Sequence, residues 1–333
     1  MTSPSAAGRF RGRRVLVTGG LGFIGSTIAH ALVAAEADVL LVDALLPGCG
    51  GEYANIAGIE DAVRVVEIDL RDEGRMPALV RDREFVFNLA GHTSHIDSMD
   101  DPQKDLALNC AAQLSLLEAC RRATARPTVV FAGTRQIYGR PRYLPVDEAH
   151  PIDPVDVNGI HKAAAEQYHL LYGRLYDLPT TVLRLTNTYG PRMRIRDARQ
   201  TFLGVWLRAL VRDYEFEVWG DGSQMRDFTY VDDAVDAFLL AATEPRAHGR
   251  VLNLGGERAI TLRALADLAV DANGGGTYRI VPFPADRAPI DIGDYYAEFR
   301  AALDLLGWRP KVGLEEGLAR SLAYFREHGE HYW

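Results

Sequence analysis

The sequence has little cysteine: three residues in 333, Cys49, Cys110 and Cys120, with no spacing that makes a metal-ligand set. A low, odd number fits a reducing compartment better than a disulfide-stapled exterior. No apolar run approaches the roughly 20 residues that a membrane-spanning helix needs. Residues 1–12 also lack the apolar stretch of a signal peptide. There is no basic cluster, and the net charge is −8, which sets nucleic acid aside as a partner. Low-complexity segments and internal repeats are missing too. What remains is a chain expected to be cytoplasmic, long enough for one large or two ordinary domains. Met1 to Gly8 reads as a frayed polar tail.

What is present begins at Arg14-Val-Leu-Val-Thr-Gly-Gly-Leu-Gly-Phe-Ile-Gly-Ser26. Val15 to Thr18 read as a buried parallel strand, and an apolar helix follows to about Ala35. Gly19 allows the tight turn, Gly22 a close approach to a pyrophosphate, and Gly25 close packing of helix on strand. Phe23 and Ile24 belong to the same phosphate-facing turn, where unpaired N–H groups and the positive helix end attract an anion. A second strand, Asp38 to Asp43, ends in an acid. Asp43 can accept both ribose hydroxyls of an adenosine and would repel a 2′-phosphate, so the expected cofactor is NAD rather than NADP. A third strand, Val63 to Ile68, runs into Asp69 and Leu70, which read either as a border for adenine or as a solvated strand end.

The alternation continues through strand Phe85 to Ala90, a helix at about 101–122, strand Thr128 to Ala132, helix Asn158 to Tyr176 and strand Thr180 to Leu185. That pattern predicts an α/β fold with a doubly wound parallel (Rossmann) sheet. Ligands bind outside the carboxyl ends of such strands, which is where Leu89, Ala90, Gly91, Thr134 and Asn187 fall. Beyond Asn187 the regularity breaks into a helix at about 201–211, strand 215–219, helix 231–243 and strands 251–254 and 278–281. The expected division is a cofactor domain over 8–187, to which 229–254 returns. A smaller α/β lobe over 188–228 and 255–333 would cover the ligand edge. Arg192, Arg194, Arg196 and Arg199 crowd one span and suit a diphosphate, as does Arg226 between a glycine turn and Asp-Phe.

Across nearly its whole length the chain resembles the extended short-chain dehydrogenase/reductase family of nucleotide-sugar epimerases, dehydratases and decarboxylases. The resemblance rests on Thr18 to Gly25, Asn88-Leu-Ala-Gly91, the 132–139 turn, Leu183 to Arg192, Gly220 to Phe228, Tyr230-Val-Asp-Asp233 and Leu306-Gly-Trp308. It implies NAD on the larger lobe and a nucleoside-diphosphate sugar beneath the smaller one. Asn187 and Arg226, joined by Arg287, would hold the diphosphate, and Phe216 to Val218 would line the base. Thr134 matches the catalytic Ser/Thr, and Lys162 the lysine that serves both catalysis and cofactor. Family members commonly dimerise through two helices, here 101–122 and 158–176, so a homodimer is expected.

One departure bears on the chemistry. The family's base is a tyrosine four residues before the lysine, and here that residue is Asn158. An amide can orient a hydroxyl but takes no proton at neutral pH. His161 is the nearest replacement in sequence, with His92 and His95 also at the ligand edge. Thr134 could relay a proton, and Tyr138 is a further alternative. Arg135-Gln136 stands where family dehydratases carry Asp-Glu, which disfavours water elimination and weakens decarboxylation. NAD-dependent epimerisation through a transient keto-sugar is therefore the leading expectation. Oxidative decarboxylation, with Arg135 or the arginines at 192–199 holding a carboxylate, is the second. A catalytically silent NAD and nucleotide-sugar binder is the third.

Overall fold

A computed structural model describes residues 6–198 and 201–333. Six strands come first: β1 (Arg14–Thr18), β2 (Asp38–Asp43), β3 (Val63–Glu67), β4 (Phe85–Asn88), β5 (Thr128–Thr134) and β6 (Thr180–Leu185). Four short ones follow, β7 (Asn187–Tyr189), β8 (Phe216–Trp219), β9 (Met225–Arg226) and β10 (Phe228–Tyr230). Next come β11 (Arg250–Asn253), β12 (Ile260–Thr261) and β13 (Tyr278–Val281). The main sheet has the order β3-β2-β1-β4-β5-β6-β11, and every pairing in it is parallel. The chain reverses direction across the sheet between β1 and β4, which opens a crevice at their carboxyl ends.

The central strands are apolar on both faces because helices cover both. Helices Phe23–Ala34 and Val231–Thr243 pack on one side, around Val15, Val17, Phe87, Leu183 and Phe238. Helices Ala112–Arg122 and Val157–Tyr176 cover the other, where Leu16, Val86 and Val129 meet Leu116 and Leu117. A separate core joins helices Phe202–Val211, Leu262–Asn273 and Leu314–His328 through Trp206, Leu207, Leu265 and Phe325. Among the described residues no helix is long and apolar enough to cross a membrane.

Three local expectations change. Ala6–Phe10 forms a short 3-10 helix rather than a frayed tail, because Phe10 is buried against Phe85 and Phe87. The helix expected over 101–122 begins at Pro102 but is interrupted by a wide turn at Ala107–Ala111. The Asn109 amide there donates to the His92 carbonyl and to Asp105, and its oxygen accepts from the His92 N–H. Those bonds tie the turn to the loop after β4, and such widened turns recur at functional sites. Strand β5 continues to Thr134, so this residue sits at the strand's end rather than in the following loop.

Candidate active site

A single cleft runs along the carboxyl edge of the sheet from Asp43 to Asn187, and Thr134, Asn158 and Lys162 share its wall. Gly19, Gly22, Phe23, Ile24 and Gly25 line one end. A Cβ on Gly25 would lie 2.1 Å from the Gly19 carbonyl oxygen, so only glycine lets the helix sit this close to the turn. Gly22 begins that helix without a side-chain cap, which leaves its first amides open to the cleft. Asp43 accepts from the amides of Leu21 and Leu45 at 3.1 and 2.9 Å. Burial pushes its carboxyl up, and those amides pull it back. Uncapped amides beside a carboxylate on the neighbouring strand fit a dinucleotide, with phosphate at the one and ribose at the other.

The adjoining walls are fixed by polar bonds. Asp69 and Leu70 line the cleft. Asp69 is gripped by Arg71 through contacts of 2.9 and 2.6 Å, which hold its carboxyl below the usual range. Leu89, Ala90 and Gly91 also line it. Thr18 Oγ1 accepts from the Leu89 and Ala90 amides at 3.2 Å and donates to Asn88, while Gln113 donates to the Ala90 carbonyl. A Cβ on Gly91 would meet Lys162 Nζ at 2.9 Å and Asn109 Oδ1 at 2.6 Å. Glycine there makes room for the lysine.

The reacting end brings together some of the expected residues and separates others. Thr134 Oγ1 accepts from the Gln136 amide at 3.2 Å, so its own hydrogen is free to face a ligand. Lys162 is buried over the Phe131 ring, and burial pushes its ammonium down to about 8 against the pull of Asp105. Asn158 Nδ2 donates to the His92 carbonyl at 2.8 Å and to Asp105 at 3.1 Å. With both amide hydrogens used, only the carbonyl oxygen is left to offer a ligand. His161 is not part of the cleft wall; its Nδ1 lies 2.7 Å from Asp105 Oδ1, behind Asn158. His92 is buried on the same carboxylate at 3.6 Å. Burial opposes the charge of Asp105, but the nearby His92 ring and the hydrogen bonds from His161, Asn158 and Asn109 outweigh it and keep the carboxyl well below its ordinary range. Tyr138 is buried in the core, donates to Asn253 and lies against Arg184; burial pushes its phenol up to about 12.

His95 does line the cleft. Its Nδ1 lies 3.0 Å from Asp156 Oδ2, close but bent away from the N–H line. Asp156 is buried, accepts from Gln136 Nε2 at 2.7 Å and from the Gly159 amide at 2.6 Å, and caps helix Val157–Tyr176. Neither Asp156 nor Asp105 stood out in the sequence. An Asp before a helix reads as its cap, which hides the use of its second oxygen.

On the substrate side, Asn187 lines the cleft, accepts from Arg135 at 3.0 Å and donates to the Asp227 carbonyl at 2.9 Å. Arg226 is buried and does not line the cleft, its guanidinium bonded to the Gly293 and Met225 carbonyls and to Gln224. Arg287 pairs with Asp286 at 3.2 Å and does not line the cleft. The Val218 side chain is buried in the core around Trp206 and does not line the cleft. The expected arginine cluster is only partly kept, with Arg194 on the cleft wall and Arg192 and Arg196 off it. Arg192 reaches Thr27, Arg194 pairs with Asp197, and Arg196 bonds the Trp333 carbonyl. Arg199 lies outside the described residues.

Comparison with known proteins decides the family. Residues 15–255 match the NAD dependent epimerase/dehydratase family. The chain belongs to that family. It is an NAD-dependent enzyme of the epimerase/dehydratase type, so NAD is the cofactor that the glycine turn and Asp43 would hold. The chain is 32% identical over 321 residues to the UDP-glucose 4-epimerase of Mycolicibacterium smegmatis, covering 95% of this chain and 100% of that one. It is 31% identical to the UDP-glucose 4-epimerase of Thermotoga maritima, solved with UDP-glucose, at a TM-score of 0.86 over 95% and 99% of the two chains. The UDP-glucuronic acid 4-epimerase of Bacillus cereus, solved with UDP-glucuronic acid and NAD, matches at 26% identity and a TM-score of 0.85 over 95% and 99%.

Proposed function

We propose that this epimerase/dehydratase family member inverts C4 of a uridine-diphosphate sugar, with His95 in place of the family tyrosine. The three similar proteins described above are 4-epimerases of UDP-sugars, while decarboxylases and dehydratases match at 28–30% identity. The observation that carries the base assignment is that His95, backed by Asp156, shares the cleft wall with Thr134, Asn158 and Lys162. The glycine turn and Asp43 would hold NAD, whose nicotinamide would supply reversible hydride transfer at the sugar carbon. The Asp156 carboxylate, 3.0 Å from Nδ1, favours a proton on that nitrogen, which leaves Nε2 of His95 as the acceptor for the sugar hydroxyl proton, directly or relayed by the Thr134 hydroxyl. Asn158 offers its carbonyl oxygen to orient that hydroxyl and takes no proton. His161 and His92 support the wall through Asp105 rather than acting as bases. Gln136 is an amide engaged with Asp156, so the turn after β5 lacks the acid that water elimination requires.

Asn187 and Arg226, with Arg287, are assigned to the diphosphate, and the backbone of Phe216 to Val218 to the uracil. Residues 8–187 with 229–254 form the cofactor lobe, and 188–228 with 255–333 the sugar lobe. Exposed Leu106, Ile160, Leu175 and Tyr176 on the helical face between 102 and 176 support a homodimer. We assign the enzyme to the cytoplasm and to carbohydrate biosynthesis. The test is incubation with UDP-hexoses and UDP-uronates, followed by NMR and mass spectrometry. An isomer of unchanged mass, inverted at C4, is expected. Loss of carbon dioxide would make it a decarboxylase, and UDP-sugar binding without conversion a silent binder.

A further inference from the structure

Arg135 carries a charge that the protein around it does not answer. It follows Thr134 directly and lines the cleft. Its Nη2 donates to Asn187 Oδ1 at 3.0 Å, and its guanidinium stacks 5.0 Å from the centre of the buried Tyr295 ring. Its Nη1 is buried with no hydrogen-bond partner, and among the described residues Arg135 makes no ion pair. The nearest acids are already engaged. Asp227 accepts from Thr186 and from the Gly256 and Ala297 amides. Asp291 accepts from Gln224 and the Gly293 amide and faces Arg226 at 3.7 Å. Burial pushes the Arg135 guanidinium down from its usual range, and Arg226 stands near as a like charge. A buried guanidinium edge without a partner is costly to keep unless a ligand completes it.

We propose that Arg135 receives a carboxylate on C6 of the sugar, so that the substrate is a nucleoside-diphosphate uronate. This rests on the reading of the cleft as a site for C4 epimerisation. Thr134 meets the reacting hydroxyl on C4, and C6 is only two bonds from that carbon. A group on C6 therefore falls beside the residue next to Thr134. The planar fork of arginine matches a carboxylate edge, and the Asn187 bond and Tyr295 ring fix the fork in orientation. The neutral hydroxymethyl of a hexose would leave the Nη1 charge without its counter-ion.

The test compares UDP-glucuronate with UDP-glucose as substrates of the NAD-loaded wild-type enzyme, and titrates UDP alone as a control. Wild type is expected to prefer the uronate by at least about 100-fold in kcat/KM, the order of discrimination that a buried charged hydrogen bond supplies. Arg135→Met and Arg135→Gln should lose that preference while their affinity for UDP stays within about threefold of wild type. Equal or better turnover of UDP-glucose by wild type would overturn the proposal, even if neither variant folds. A parallel loss of UDP affinity in the variants would assign Arg135 to the diphosphate and overturn it too. Failure of wild type to bind UDP at all would instead overturn the nucleotide reading on which the proposal stands.

Discussion

Asn158 withdraws the phenol on which the family's proton transfer depends, and the groups around it limit what can replace it. Asp105 takes one hydrogen of its amide and, on the far side, the Nδ1 of His161. That shared carboxylate anchors His161 behind the wall, although its sequence position made it the nearest candidate. Lys162 keeps its family position, and its depressed ammonium gives a pH prediction. The charge is present below about 8 and lost above it, so kcat/KM should fall as pH rises through that value. Lys162→Arg, charged throughout, should remove this alkaline limb even if the rate is lower; a limb that stays put would assign it to another group. A second prediction concerns Arg184, buried and paired with Glu166 at 2.5 and 2.9 Å. Arg184→Met strands a buried carboxylate and should cost about 3–5 kcal/mol in urea unfolding.

At the scale of elements, the glycine turn and the strand–helix alternation were legible because hydrophobic period and turn chemistry are local. Asp43 at the end of β2 follows from that alternation, whereas the continuation of β5 from Ala132 to Thr134 does not. The break at Ala107–Ala111 was not legible, because its cause is a tertiary bond from Asn109 to a loop 17 residues upstream. Asp156 was hidden for a similar reason: its capping role is local, whereas its contact with His95 joins two elements. Val218 reads as a binding residue by its motif, yet alternation along β8 turns its side chain into the core. A tight steric constraint at the glycine turn gives a third prediction. Gly25→Ala forces a Cβ against the Gly19 carbonyl, so NAD affinity measured by fluorescence titration should fall by at least about tenfold and thermal stability should drop. Unchanged NAD affinity would contradict the assigned role of the turn.

For the whole molecule, the sheet order brings the ends of β1, β2, β4, β5 and β6 to one edge, and the second core adjoins it through Phe23 and Ile24. This is why residues more than 140 positions apart, Asp43 and Asn187, share one cleft. The exposed apolar residues on the opposite helices predict a dimer whose contact is broken by charge. Ile160→Asp with Leu175→Asp should convert it to a monomer in light scattering; a wild-type monomer would contradict the assignment. If His95 is the base of an NAD-dependent epimerisation, His95→Ala should all but abolish turnover of a UDP-sugar. The expected result is a loss of kcat by about 10²–10⁴-fold with NAD and UDP still bound, and partial rescue by added imidazole. Turnover within a few-fold of wild type would contradict it.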